Sequence, residues 1–158
     1  MDFINQLFSN YALLGAITAW AIAQLLKFIF TIIVEKKVDF KKFFSDGGMP
    51  SAHSATVTSL AVMIGWTAEG SFASVEFALA MIFAVVVMRD AVGVRREAGK
   101  HAKSIKELAE AMNKAFLDDD EEIRTENLKL LVGHTPLQVF FGALLGIIVA
   151  TLFIVIFL

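Results

Sequence analysis

The chain has 158 residues, of which 57% are hydrophobic and 19% charged, and its formal net charge is -2. With a mean hydropathy of +0.68, it is too apolar for an ordinary soluble domain and suits one membrane domain covering residues 1–158. The absence of cysteine excludes a disulfide framework, a thiol nucleophile and a thiolate metal site.

Residues Met1 to Asn10 carry Asp2 and no Lys or Arg. They lack the basic region of a cleavable signal peptide and read as a short interfacial lead-in. Ala12 to Val34 is an apolar run of 23 residues, and about 20 residues cross a hydrocarbon core, so a first span is predicted over 12–34. Gln24 and Lys27 lie three apart and share a helical face. Lys27 either snorkels toward the near interface or faces inward to meet an anion, and the polar face it shares with Gln24 favours the second. Glu35 to Asp46 sets Lys36, Lys37, Lys41 and Lys42 around Phe40, Phe43 and Phe44, the pattern of an interfacial segment touching headgroups.

Gly47-Gly48-Met49-Pro50-Ser51-Ala52-His53-Ser54 is a turn that opens an apolar helix. Gly47 and Gly48 allow a tight bend, Pro50 ends what precedes it, and Ser51 is a good N-cap. Free amides and the helix dipole make such a start an anion site, where His53 can give or take a proton beside a phosphate. The competing reading is a capped membrane helix with an interfacial histidine. This second span, 52–66, is short, and a third is expected over 72–88, ending in Arg89-Asp90-Ala91-Val92-Gly93-Val94-Arg95-Arg96.

From 97 to 131 the composition turns soluble. Ile105, Leu108, Ala109, Met112, Ala115 and Phe116 recur at helical spacing and predict an amphipathic helix against the membrane face or the core. Asp118 to Glu122 reads as a solvated turn, and a short helix is expected around Thr125 to Leu131. Gly133-His134-Thr135-Pro136 then introduces a last span over 137–158. The predicted fold class is all-α: an integral membrane helical bundle of about four transmembrane helices with short cytoplasmic amphipathic helices.

Charge placement gives an expected topology. Of the 14 Lys and Arg residues, five fall between Lys27 and Lys42 and nine between Arg89 and Lys129. The positive-inside rule puts both regions in the cytoplasm and both termini outside, in a multi-pass cell-membrane protein. One face then gathers Lys27, His53, Arg89, Asp90, Arg95, Arg96 and His134 with helix starts after Ser51 and Thr135. Cations and helix starts recognise phosphate oxygens, and two histidines suit phosphoryl transfer: one attacks phosphorus, the other protonates the leaving alkoxide. The cations neutralise developing charge, so no metal or other cofactor is expected. They also argue against a metal held by His53, His134 and Asp90.

At these residues the chain resembles a known superfamily. Pro50-Ser51-Ala52-His53 is similar to the proline-serine-glycine-histidine signature of type 2 phosphatidic acid phosphatases and haloperoxidases, with Ala52 in place of glycine. His134-Thr135-Pro136-Leu137-Gln138-Val139-Phe140-Phe141-Gly142 resembles the histidine-x-proline-x-aspartate-valine-x-x-glycine signature. Together with Asp90 to Arg96, the pattern resembles the small bacterial branch called divergent type 2 phosphatidic acid phosphatase-like proteins over nearly the full chain. The resemblance implies His134 as nucleophile, His53 as general acid, and Ser51 with the following amides as phosphate ligands. The superfamily's first signature, a lysine followed at fixed spacing by arginine-proline, is unmatched, with Lys27 the stand-in for its lysine. The serine-arginine pair before the nucleophile is also missing; charge alone nominates Arg95 or Arg96 for the guanidinium.

Gln138 stands where that pattern has an aspartate. An amide orients an imidazole but does not stabilise its cation as a carboxylate does, which weakens activity unless Asp90 substitutes. Thr135-Pro136-Leu137-Gln138 also fits a capping box, so Gln138 has a structural reading. Asp90 beside Arg89 has one too, as an ion pair at the membrane edge, and His101 among lysines reads as a solvated surface residue. Gly48 supports the turn.

Two functions stand from this reading. One is a membrane phosphatase that hydrolyses a lipid phosphate or pyrophosphate at the cytoplasmic face through a phosphohistidine, without metal. The other is a weak or inactive relative that binds lipid phosphate headgroups in a structural, regulatory or transport role. Membrane lipid phosphates and the bilayer are the expected partners, whereas nucleic acid fits poorly because the cations lie among spans. A homo-oligomer and a monomer are both compatible with the chain.

Overall fold

A computed structural model describes residues 2–35, 48–69, 71–116, 123 and 133–158. The described elements are α1 (Phe3–Phe8), α2 (Tyr11–Glu35), α3 (Ala52–Thr67), a 3-10 turn (Ser71–Ala73), α4 (Val75–Val92), α5 (Val94–Phe116) and α6 (Pro136–Phe157). The fold is an all-α membrane bundle. The interfacial segment over 36–47, the acidic turn and the helix around 125–131 lie outside the described residues.

Three stretches are long and apolar enough to cross a membrane: Tyr11–Ile33, Val75–Ala115, whose apolar part is α4, and Pro136–Phe157. Their outward faces carry Ile17, Leu25, Ile82, Phe83, Leu152 and Val155, all exposed. So many bare aliphatic and aromatic side chains match a hydrocarbon solvent and would be a liability in water.

The second expected span behaves differently. α3 has 16 residues, about 24 Å of helix against a hydrocarbon core of about 30 Å. It packs against α2, α4 and α6 and is the most enclosed of the long helices. Protein, not lipid, surrounds it, which removes the length requirement and tolerates Ser51, Ser54 and Ser59, all fully buried.

Register follows from named contacts. The Ser59 hydroxyl donates to the Gly15 carbonyl, and Ala19 and Ala23 pack on Ala52 and Ala55, so α2 runs antiparallel to α3. Thr58, midway along α3, meets Met88 while Gly65, near its end, lies against Phe77, so α4 is antiparallel as well. Gly142 abuts Ser51, Gly146 abuts Ala55 and Ala150 joins Met63, so α6 runs parallel to α3. The start of α2 and the end of α6 therefore share one end of the bundle. The starts of α3 and α6 and the end of α4 share the other.

Small residues make this close packing possible. A Cβ at Gly142 would collide with the Ser51 carbonyl oxygen, and one at Gly146 would lie 2.5 Å from the Ala55 carbonyl oxygen. Gly142, Gly146 and Ala150 recur every fourth residue and form a groove into which α3 fits, the small-residue contact by which helices associate in lipid.

Two boundaries differ from expectation. The third span was expected at 72–88, but Ser71–Ala73 forms the 3-10 turn and Ser74 caps α4 by accepting from the Phe77 N–H at 3.1 Å. α4 then continues through Arg89 and Asp90 to Val92, because a cation in the last turn complements the helix dipole. The amphipathic helix expected from Ile105 begins at Val94, in α5.

Candidate functional site

His53 stands in the first turn of α3. Ser51 caps that helix, its hydroxyl oxygen accepting from the Ser54 N–H at 3.3 Å and from the Ser54 hydroxyl at 3.0 Å. The Ser51 N–H donates to the Gln138 carbonyl at 3.1 Å. The start of α3 is thus fastened to the first turn of α6.

His134 is the residue just before the cap of α6. Thr135 accepts from the Gln138 N–H at 3.3 Å while Gln138 Oε1 accepts from the Thr135 N–H at 2.9 Å. This is a complete capping box with Pro136 at the first helical position, where no donor is needed. The His134 N–H donates to the Ala91 carbonyl at 2.9 Å, tying the turn to the end of α4. Gly133 has φ +89° and lies against the Arg95–Arg96 backbone, where a Cβ would collide. A side chain there is excluded by both conformation and contact.

These ties bring the two histidines together. Their ring centroids are 6.0 Å apart with the planes at 62°, and His134 is 2% exposed. They line a cleft of about 20 Å3 with Val87, Asp90, Ala91, Arg95 and Gly133. Asp90 Oδ2 accepts from Arg95 Nε at 2.8 Å, with both side chains almost half exposed, so the pair contributes at most about 1 kcal/mol.

Gln138 Oε1 also lies 3.3 Å from His134 Nδ1. The Thr135 N–H fixes which amide atom is oxygen, and an amide oxygen only accepts. In the neutral ring the contact therefore puts the proton on Nδ1 and the lone pair on Nε2. One amide oxygen of Gln138 thus meets both the helix-start N–H of Thr135 and the His134 ring.

The remaining expected residues fall elsewhere. Lys27 is buried on the inner face of α2, its carbon stem against Gly48, which has φ +96°; neither lines the cleft. Ser51 is buried behind His53, with its hydroxyl engaged by Ser54. Arg96 is exposed on the first turn of α5. Residues 89–96 form the junction of two helices that meet at Gly93, with Arg95 reaching back to Asp90. His101 is exposed on α5. Among the described residues, no three His, Asp or Glu side chains gather as a metal-ligand set. Val87, Ala91 and Gly133 line the cleft without having been expected; the glycine directly before His134 was their one sequence signal.

The family model for the divergent PAP2 family matches residues 8–149. The chain belongs to the divergent PAP2 family. The match takes in α2, α3, α4, α5 and the first two thirds of α6, hence every residue of the cleft. The chain is similar to the uncharacterized membrane protein YuiD of Bacillus subtilis (strain 168), 42% identical over 149 residues. That alignment covers 90% of this chain and 93% of YuiD. No solved structure matches the chain.

Proposed function

We propose that this divergent PAP2 protein is a membrane phosphatase for a lipid phosphate monoester or pyrophosphate, acting through His134. The observation that carries the reading is the pair of histidine rings 6.0 Å apart, one with its Nδ1 held by Gln138. His134 Nε2 attacks phosphorus and forms an N–P bond as the P–O bond to the lipid breaks, and His53 protonates the leaving oxygen. Water then gives a proton to His53 and attacks phosphorus, and the N–P bond breaks to release phosphate. Arg95, with amides of the α3 start, neutralises charge on the phosphoryl oxygens.

The cleft of about 20 Å3 is water-sized. A phosphoryl group enters by drawing Arg95 away from Asp90, at small cost for so exposed a pair. By the positive-inside rule this end of the bundle, with Arg89, Arg95 and the lysines of α5, faces the cytoplasm.

A second reading, a headgroup-binding relative without turnover, is favoured by Gln138, whose amide does not stabilise an imidazolium as a carboxylate does. The deciding experiment is phosphate release from phosphatidic acid, phosphatidylglycerophosphate and polyprenyl phosphates and pyrophosphates by purified protein in lipid, with and without added divalent metal. Release that disappears in His134→Ala supports the phosphatase. Folded protein that binds these lipids and releases nothing supports the binding reading.

A further inference from the structure

An open apolar groove of about 390 Å3 runs between α2 and α6, within the size range of ligand sites. Leu26, Ile29 and Phe30 form its α2 wall and Phe141 and Leu144 its α6 wall, with Met49 and Pro50 beside them. Met49 and Pro50 lead directly into Ser51, the cap of the helix that carries His53. On α2, Leu26 faces the groove while its neighbour Lys27, 4% exposed, packs its stem on Gly48 at the same turn. A buried cation and a helix start thus stand at one end of a purely aliphatic and aromatic channel. An amphiphile with an anionic head and a hydrocarbon tail has the complementary layout.

We propose, on the reading of this end of the bundle as a lipid-phosphate site, that the groove holds one hydrocarbon chain of the phosphate-headed lipid, which enters sideways from the bilayer between α2 and α6. Ordinary lipid wets every outward face of the bundle. A chain anchored by its phosphate resides in this groove in preference to those faces.

The test uses the full chain in phosphatidylcholine vesicles with phosphatidic acid carrying a photoreactive group midway along one acyl chain, adducts being mapped by mass spectrometry. Adducts are expected on groove residues such as Ile29 and Leu144, about tenfold above those from the same chain on phosphatidylcholine. Leu144→Trp, which fills the groove, lowers them about tenfold, while Val155→Trp, on the outward face of α6, leaves them unchanged. The headgroup comparison needs no variant and stands even if Leu144→Trp fails to fold. Equal labelling from the two lipids, or adducts spread over the outer faces of α4 and α6, overturns the proposal. So does a groove left unlabelled because another part of the chain fills it. Phosphate release in the same vesicles separates the two readings: groove adducts without release keep the chain site and reject the phosphatase, and release without groove adducts does the reverse.

Discussion

Gln138 closes the start of α6 and holds the His134 ring with a single amide oxygen. Gln138→Glu keeps both acceptor contacts and adds a charge that the helix start favours. A neighbouring carboxylate raises an imidazole pKa by about one unit, equivalent to about tenfold in stabilising the cation. Turnover at saturating pH is expected to rise about tenfold, while the acidic limb of the pH–rate profile moves to higher pH because attack needs the neutral ring. An unchanged profile would show that Gln138 serves the helix alone. Asp90→Asn, which releases Arg95, is expected to tighten phosphate binding severalfold, as read by the competitive inhibition constant of inorganic phosphate. Weaker binding would mean that Asp90 positions the guanidinium for its ligand.

At the scale of elements, the site depends on how closely α3 approaches α6. Gly142→Leu places a branched side chain against the Ser51 carbonyl, an overpacking expected to cost about 1–3 kcal/mol. It should lower the unfolding temperature in detergent and separate His53 from His134, whereas Val155→Leu on the outward face leaves both unaffected. A Gly142→Leu protein of wild-type stability and turnover would contradict the contact. The Gly142, Gly146 and Ala150 stripe was readable in the sequence as a small-residue repeat, although apolar length alone was used there to delimit the last span. The boundaries of α4 were less legible, because Arg89 and Asp90 look like the edge of a membrane when only hydropathy is read. Helix geometry carries them on to Gly93.

For the whole molecule, the start of α2 and the end of α6 share one end of the bundle, and the positive-inside reading proposes that end as the outer one. The cysteine-free chain allows clean single-cysteine labelling. Ser104→Cys on α5 should react with an impermeant thiol reagent from the cytoplasmic side, and Ser9→Cys and Glu69→Cys from the outside; the reverse pattern would invert the proposed sidedness. Class and bundle were legible because each rests on a local signal, apolar runs and capped turns, while charge placement was what put His53 and His134 on one face. The burial of α3, the partners of Arg95 and the groove beside Pro50 depend on which helices lie side by side, and no local pattern encodes that.

A phosphatase that works through His134 carries a covalent phosphate there during turnover. The most direct measurement is a quench of the protein in alkaline detergent during turnover of phosphorus-labelled lipid phosphate, followed by peptide mapping. Labelled phosphate is expected on His134 and absent from His134→Ala. Turnover with no protein-bound phosphate, or with the label on another residue, would contradict it.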